Sequence, residues 1–238
     1  MKILALESSA TACSAALCED EKLIAQSFQN SGLTHSRTLM PMVQSMLEGC
    51  GQKLEDVDVI AVAAGPGSFT GLRIGVSTAK GMAWAGDKPC APCSTLESMA
   101  WQLAHMNGII IAAMDARRSQ VYNALFRAKD GNLERLSPDR AIGLDELEQE
   151  VAALEGTKIL VGDGAQLCYN NWSDHMPQLR LAPVHLRWQT AWGVARAAQE
   201  LVRENRLVCG DELVPVYHRL SQAERERLAR QGQSQNKE

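Results

Sequence analysis

The sequence predicts an α/β protein that consists of two related lobes. Apolar runs suited to strands alternate with amphipathic segments suited to helices from the first residues onward. The order strand, acidic residue, turn, strand begins at Ile3 and begins again at Ile111, 108 positions later. A strand that leads into a glycine turn also occurs in each half of the chain. Repetition of one α/β unit indicates two lobes with a cleft between them.

The first half of the chain is predicted to follow the order βββαβα. Short apolar stretches with tight connections predict three strands, and apolar residues spaced three and four positions apart after His35 predict a helix. A continuous apolar run then indicates a buried parallel strand, which leads through a glycine turn into a second helix. The predicted elements are strands at residues 2–7, 12–18 and 22–28, a helix at 35–49, a strand at 57–64 and a helix at 74–85. We expect this N-terminal lobe to span residues 1–100.

The second half is predicted to repeat this plan with additional helices. Its later elements are an amphipathic helix at 144–154, a strand and glycine turn at 158–164, and helices at 189–204 and 221–230. We expect a C-terminal lobe at 101–230 and a loose polar tail at 231–238. Two related lobes around a cleft are the architecture of the actin, Hsp70 and sugar kinase superfamily.

Composition and charge exclude several classes of protein. Its 28 acidic and 24 basic residues give the 238-residue chain a net charge of −4, which argues against tight autonomous binding to nucleic acid. No apolar run of transmembrane length occurs, and the N-terminal residues lack the apolar core of a signal peptide. Seven cysteines, an odd number, indicate reduced thiols. We therefore expect a cytoplasmic protein.

The glycine turn after the buried strand has two interpretations. In the first, Gly65, Gly67 and Gly71 cradle a phosphate at the start of the helix, and Arg73 supplies a bidentate charge. In the second, the glycines permit a tight crossing from strand to helix, and Arg73 pairs with a carboxylate or a partner's carbonyl group. The turn lacks the Gly-Lys-Ser/Thr ending of a Walker A loop.

Two acidic residues, Glu7 and Asp115, end the first strand of each repeat. They could form a pair across the cleft, where one acts as a base and the other orients Mg²⁺, with Ser8 donating to a phosphate. The alternative, which we favour, is that each carboxylate organises only the turn after its own strand.

Other candidate residues indicate ordinary structural roles. Cys90 and Cys93 have the spacing of a redox or zinc motif, but the sequence places them in a loop beside Pro89 and Pro92, without a second ligand pair. We interpret them as plain thiols. His35 stands at a helix start, where capping is favoured over contact with a partner.

The two helices of the first half are the strongest candidates for a binding surface. The apolar residues of the first helix extend beyond one stripe and include flexible methionines, and the second helix carries small residues that permit close helix approach. Burial of both helices within their own lobe is the alternative. We favour an interface, because the lobe would otherwise have to hide an unusually large apolar area.

Five segments in one order along nearly the whole chain carry a resemblance to a known family. They are Ile3 to Ser9, Thr34 to Pro41, Gly65 to Gly75, Asp115 to Tyr122, and Pro215 to Arg219. These segments are similar to those of the TsaB family, formerly YeaZ, of bacterial tRNA threonylcarbamoyladenosine biosynthesis proteins.

The resemblance implies specific partners. Members pair with TsaD, a paralogue of the same fold that transfers a threonylcarbamoyl group to N6 of adenosine 37 in tRNA, and the ATPase TsaE joins the assembly. Each protein contributes two helices to a four-helix bundle, and a member alone is expected to form a homodimer through the same face. The implied contact residues are Leu39, Met40, Met42, Val43 and Met46 in the first helix and Gly75, Thr78, Ala79 and Met82 in the second.

The resemblance also implies the loss of a metal site. TsaD holds its metal through the histidines of a run His-Leu-Glu-Gly-His, whereas the comparable run here is Thr95 to Met99, in which threonine and methionine take the histidine positions. Neither side chain replaces imidazole as a ligand. We expect no metal and no cofactor of its own, beyond weak binding of ATP or ADP at a vestigial site.

The implied function is that of a non-catalytic activating subunit of the tRNA threonylcarbamoyl transferase, with tRNA contacted only within the complex. The alternative is an ATP-dependent small-molecule transferase or kinase that uses Glu7, Asp115 and the glycine turn. A third reading, direct tRNA binding by the isolated chain, is disfavoured by the negative net charge.

Overall fold

The computed structural model of the chain describes residues 1–219. The helix expected at 221–230 and the tail expected at 231–238 therefore lie outside the described residues. No helix in residues 1–219 has both the length and the apolar character needed to cross a membrane.

The first lobe is built on a five-stranded mixed sheet with the strand order β3-β2-β1-β4-β5. Strand β1 pairs with β2 in antiparallel fashion and with β4 in parallel fashion, so it lies at the centre of the sheet. The strands are β1 (Lys2–Glu7), β2 (Cys13–Glu19), β3 (Lys22–Gln29), β4 (Val59–Gly65) and β5 (Cys90–Ser94).

Successive side chains along these strands point to opposite faces of the sheet, and both faces are apolar. Leu4 and Leu6 point toward helices α1 (His35–Gly49) and α2 (Phe69–Gly86), whereas Ile3 and Ala5 point to the opposite face. Side chains two positions apart share a face of a strand, which explains this division. Strand β1 is therefore buried on both sides, as expected for a central strand of an α/β sheet.

The second lobe repeats the arrangement of the first. Its strand order is β11-β10-β6-β7-β8, and β9 pairs with β7 beside this path. Because β6, β7, β8, β10 and β11 take the places of β1 to β5 in order, the structure confirms the duplication. The strands are β6 (Gly108–Arg117), β7 (Gln120–Lys129), β8 (Asn132–Arg135), β9 (Arg140–Gly143), β10 (Lys158–Val161) and β11 (Leu179–Leu181).

Helices cover both faces of the second sheet as well. Helices α4 (Leu144–Ala152) and α5 (Ala165–Trp172) pack on one face, with Trp172 fully buried. Helix α3 (Thr95–Trp101) packs on the other face, against β6 and β7. Short 3₁₀ turns occur at Leu54–Asp56 and Val184–Leu186.

Helix α6 (Ala191–Arg203) occupies a place that the sequence did not predict. The prediction assigned this part of the chain to the C-terminal lobe, but α6 packs against the first sheet, where Val194 and Ala198 contact the Ile3 and Ala5 face. It also contacts α3, which faces the second sheet. The chain therefore returns to its first lobe near its end, and α3 and α6 form the layer between the two sheets.

The structure also differs from the prediction at two places that contain candidate residues. Cys90 and Cys93 lie in strand β5, paired in parallel with β4, and not in a loop. Both thiols are buried, and burial raises the pKa of each, so the interpretation as structural thiols is consistent with the fold. Helix α2 begins at Phe69, five residues before the predicted start, because the Ser68 side chain accepts a hydrogen bond from the Gly71 N–H and caps the helix.

Candidate functional site

A cleft of about 620 Å³ lies where the two lobes meet. The first lobe contributes the β1–β2 turn and the start of α2, and the second lobe contributes the β6–β7 hairpin and the turn after β10. The segment 216–219, close to the end of the described chain, forms another wall. The cleft is therefore the place where both repeats could act on one ligand.

The glycines at the start of α2 pack against the chain's own β1–β2 turn. A Cβ atom on Gly67 would lie 2.5 Å from the Ser9 carbonyl oxygen, and one on Gly71 would lie under 3.0 Å from that of Ser8. The Ser68 N–H donates to the Ser9 carbonyl at 2.6 Å, and the Ser8 hydroxyl donates to the Gly71 carbonyl at 2.9 Å. These contacts favour the structural interpretation of the turn, while a phosphate role for it stays a prediction.

Gly65 allows a second close approach of two backbone segments, here between the end of β4 and Val216. Its φ of 145° is a conformation that L side chains rarely adopt, and a Cβ atom there would meet the Val216 carbonyl oxygen at under 3.0 Å. The Val216 N–H donates to the Ala64 carbonyl at 2.7 Å. Gly65 therefore lets the segment 213–219 cross directly over the end of β4.

Arg73 makes a contact that neither interpretation of the sequence included. Its guanidinium lies over the Phe69 ring at 3.9 Å, and its Nε donates to the Tyr217 hydroxyl at 3.1 Å. The rings of Phe69 and Tyr217 stack with their centroids 4.8 Å apart. Arg73 therefore ties the segment 213–219 to α2 through a cation–π and hydrogen-bond cluster at the rim of the cleft.

Glu7 lies at the end of β1 and is fully buried. Its Oε1 accepts a hydrogen bond from the Ser9 N–H at 2.6 Å, and its Oε2 has no hydrogen-bond partner among the described residues. Burial, opposed by the hydrogen bonds from Ser9 and assisted by the charge of Asp163, raises the pKa of Glu7 to about 7. This geometry is that of a carboxylate that organises its own strand turn.

The carboxylate whose charge acts on Glu7 is Asp163, a residue that the sequence analysis did not single out. Burial raises the pKa of Asp163, and the Gln189 amide donates to its Oδ1 at 2.8 Å. Asp163 lines the cleft in the turn after β10. Its place within Gly162-Asp163-Gly164, directly after a buried strand, is the signal that could have identified it.

Asp115 is exposed and lines the cleft from the second lobe. Its Oδ1 accepts a hydrogen bond from the Arg117 N–H at 2.6 Å, which is a turn-organising contact of the kind that Glu7 makes. Asp115 acts electrostatically on Asp163, and Asp163 acts on Glu7. Asp163 is therefore coupled electrostatically to both Glu7 and Asp115, two carboxylates for which the sequence left pairing open and favoured separate turn-organising roles.

Most of the helix residues expected at a partner interface lie inside the first lobe. Side chains in its core cannot reach a partner unless the lobe opens, which corrects the prediction for the buried members of the set. Those buried are Leu39, Val43 and Met46 of α1 and Gly75, Ala79 and Met82 of α2. The accessible members are Met40, which is 46% exposed, together with the half-buried Met42 and Thr78.

The positions comparable to the metal ligands of TsaD are buried in α3. Thr95 and Met99 both have 0% exposure, and the Thr95 hydroxyl has no hydrogen-bond partner among the described residues. Within residues 1–219 no group of three or more His, Cys, Asp or Glu side chains is arranged to hold a metal ion. A hydroxyl and a thioether do not fit the imidazole-bound metal of that family.

A duplicated five-strand order with helices on both faces and a cleft between the lobes defines a member of the actin, Hsp70 and sugar kinase superfamily. Residues 25–167 match the family model described as TsaD: tRNA N6-adenosine threonylcarbamoyltransferase.

Similar proteins identify the branch of this superfamily. The chain is 32% identical to the tRNA threonylcarbamoyladenosine biosynthesis protein TsaB of Escherichia coli over 92% of its own length and 95% of that protein. It is 41% identical to TsaB of Bacillus subtilis over 60% of its length and 63% of that protein. YeaZ from Pseudomonas aeruginosa has a similar structure, with a TM-score of 0.75 and 25% identity over 91% of this chain and 99% of that one. The chain belongs to the TsaB family of tRNA threonylcarbamoyladenosine biosynthesis proteins.

Proposed function

We propose that the chain is a non-catalytic activating subunit of the tRNA N6-threonylcarbamoyladenosine transferase, and that it binds and stabilises the catalytic paralogue TsaD. Membership in the TsaB family supports this proposal. A match to the TsaD family model over residues 25–167, which include α1 and α2, supports descent from a common ancestor with the catalytic subunit. A duplicated gene product that has kept the fold is suited to pair with its relative.

The observation that carries the proposal is that the residues expected to do chemistry are engaged in the fold itself. The glycine turn encloses the Ser8–Ser9 turn, Glu7 is buried beneath it, and Arg73 is held by Phe69 and Tyr217. Their placement supports a role in holding a partner rather than in transferring a group.

A face of α1 and α2 is suited to close helix packing. Met40 is exposed on α1, while on α2 Gly81 has open space where a side chain would stand. Thr78 lies about one helical turn from Gly81, on the same side of α2. An adaptable methionine on α1 and small residues on the outside of α2 would allow two further helices to approach closely. The same face would serve a homodimer when the chain is alone.

Activation requires that the chain bind one state of its partner more tightly than the others. A subunit that bound every arrangement of TsaD equally well would not shift the population of the active one. In this proposal TsaE and tRNA meet the chain only within the assembled complex, which would operate in the cytoplasm.

The first test is a charge on the exposed part of the helix face. Met40→Asp places a carboxylate there, and we expect it to weaken TsaD binding at least tenfold and to reduce tRNA threonylcarbamoylation, because an unpaired charge would be buried in the bundle. Gln149→Asp, on the exposed side of α4, is the matched control. Met82→Asp is unsuitable, because Met82 is buried and the lobe itself would lose stability.

The accompanying measurement is an in vitro threonylcarbamoylation reaction from which each component is omitted in turn. Full activity without this chain, or Met40→Asp protein that binds TsaD as tightly as the control variant, would contradict the proposal. Micromolar binding of ATP and Mg²⁺ to the isolated chain, lost on Asp115→Asn, would instead support an ATP-dependent small-molecule transferase or kinase.

A further inference from the structure

We infer that the rim of the cleft, formed by the β6–β7 hairpin and the segment 217–219, binds the phosphate backbone of an unpaired RNA segment. This inference rests on the proposed function, because it identifies the part of the chain that would touch the RNA substrate of the complex. The residues that carry it are Arg73, Arg117, Arg118, Tyr217 and Arg219.

Four guanidinium groups surround the rim. Arg117 and Arg219 line the cleft, Arg118 follows at the tip of the hairpin, and Arg73 contacts two aromatic rings of the lining. None of the four forms an ion pair within residues 1–219. Of the nine other arginines in residues 1–219, five pair with a carboxylate and four do not; those paired are Arg127, Arg135, Arg140, Arg203 and Arg206. An acidic chain thus has a local group of four arginines without a carboxylate partner in residues 1–219, although the Arg219 guanidinium donates to the Ala116 carbonyl and Arg73 Nε donates to the Tyr217 hydroxyl.

The hairpin tip holds two of these arginines in a costly conformation. Arg117, Arg118 and Ser119 are three consecutive residues with positive φ, at 62°, 58° and 55°. A positive φ at a residue other than glycine is unfavourable relative to a β or right-handed conformation. The Arg117 N–H bond to Asp115 helps to hold the tip, and the side chains of Arg117 and Arg118 are left exposed. Strain that presents two charged side chains to solvent is typical of a binding site.

The class of ligand follows from the combination of charges and rings. Guanidinium groups bind phosphate in bidentate geometry, and an exposed aromatic ring offers a face on which an unpaired base can stack. Tyr217 lines the cleft and is 40% exposed. Its ring already stacks on the ring of Phe69. An acidic peptide would use the arginines but would gain nothing from the ring, so the combination favours RNA.

The acidic residues of the site limit where the phosphates would lie. Asp115 is exposed among the cleft residues, and Asp163 is half-buried in the lining, where its charge acts on Glu7. These carboxylates would repel phosphate from the floor of the cleft, so the RNA backbone should follow the rim. The overall charge of −4 agrees with contact that is weak for the isolated chain and effective only within the assembly.

The test replaces the two hairpin arginines without disturbing the backbone. Arg117→Asn with Arg118→Asn removes both charges, and asparagine tolerates positive φ better than most residues. Arg117→Lys with Arg118→Lys keeps the charges. Arg180→Asn, at an exposed position of the edge strand β11, is the matched control. The probe is a full-length tRNA transcript, titrated against the complex of this chain with TsaD.

We expect the double asparagine variant to raise the Kd for tRNA and its KM roughly tenfold near 0.1 M salt, with kcat and the affinity for TsaD unchanged. The slope of log K against log salt should shrink by about 1.5, because two phosphate contacts are lost. The double lysine variant should retain most of the affinity, and the control should match the wild-type chain.

An unchanged Kd and salt slope in the double asparagine variant would overturn the inference. So would a loss of TsaD or TsaE binding with tRNA affinity intact, since the arginines would then contact a protein. Failure of the proposed function would appear differently, as threonylcarbamoylation that proceeds without the wild-type chain.

Discussion

Replacement of Gly71 by alanine tests whether the glycine turn serves the fold. The added Cβ atom would lie more than 1 Å inside the 3.4 Å at which ordinary van der Waals contact begins, and the atom that it meets is the backbone oxygen of Ser8. A backbone atom cannot rotate away, so the β1–β2 turn or the start of α2 must shift. Overpacking of this kind costs about 1–3 kcal/mol, and loss of the hydrogen bond from the Ser8 hydroxyl to the Gly71 carbonyl adds about 1 kcal/mol.

The expected total is therefore about 2–4 kcal/mol of unfolding free energy, or a fall in Tm of roughly 5–15 °C for a chain of this size. Gly81→Ala is the matched control in the same helix, because a Cβ atom there meets nothing within 4 Å. That control should be stabilised by about 1 kcal/mol. Thermal unfolding followed by circular dichroism distinguishes the two variants. Gly71→Ala protein that melts within 2 °C of the wild type would refute the packing role of the turn.

Two further outcomes are expected from the buried groups. Because burial raises the pKa of Glu7 from 4.5 to about 7, the folded chain holds a proton that the unfolded chain releases between these values. The stabilising contribution of this proton is therefore complete below pH 4.5 and is lost as the pH rises through 7. We expect urea titrations from pH 5 to pH 8 to show a loss on the order of 3 kcal/mol that Glu7→Gln largely removes, and parallel pH curves for the two proteins would contradict this. Alkylation followed by mass spectrometry should label the exposed Cys209 first, since Cys93 and four other cysteines are buried. Labelling of Cys93 in the native protein at the rate of Cys209 would show that β5 opens.

Much of the fold follows from local patterns along the chain. The spacing of apolar residues after His35 predicted α1 with the bounds that the structure shows, and the repeat at Ile3 and Ile111 predicted the duplicated sheet order. The start of α2 was placed too late, because glycines were taken as a sign of a loop before the helix. Gly71 instead lies in the first helical turn, where the Ser68 cap and the nearby Ser8 carbonyl require it.

The candidate site was less accessible to prediction. Glu7 and Asp115 were identified from their places at strand ends. Asp163 was not, although its charge acts on Glu7 and the charge of Asp115 acts on it. The stack of Arg73, Phe69 and Tyr217 joins residues 144 positions apart, and no spacing rule relates them. The interface prediction included Leu39 and Met82, whose apolar character is equally that of core residues.

Residue chemistry and periodicity alone were enough to establish two repeated α/β lobes and the absence of imidazole at positions 95 and 99. These are properties of single positions or of short windows, in which side-chain size and polarity act directly on the local backbone. Only the folded chain decided three other features. They are the direction in which each apolar helix face points, the return of α6 to the first sheet, and the grouping of arginines at the cleft. Each of these depends on contacts between segments far apart in sequence, and such contacts arise when the lobes pack and bury their surfaces together.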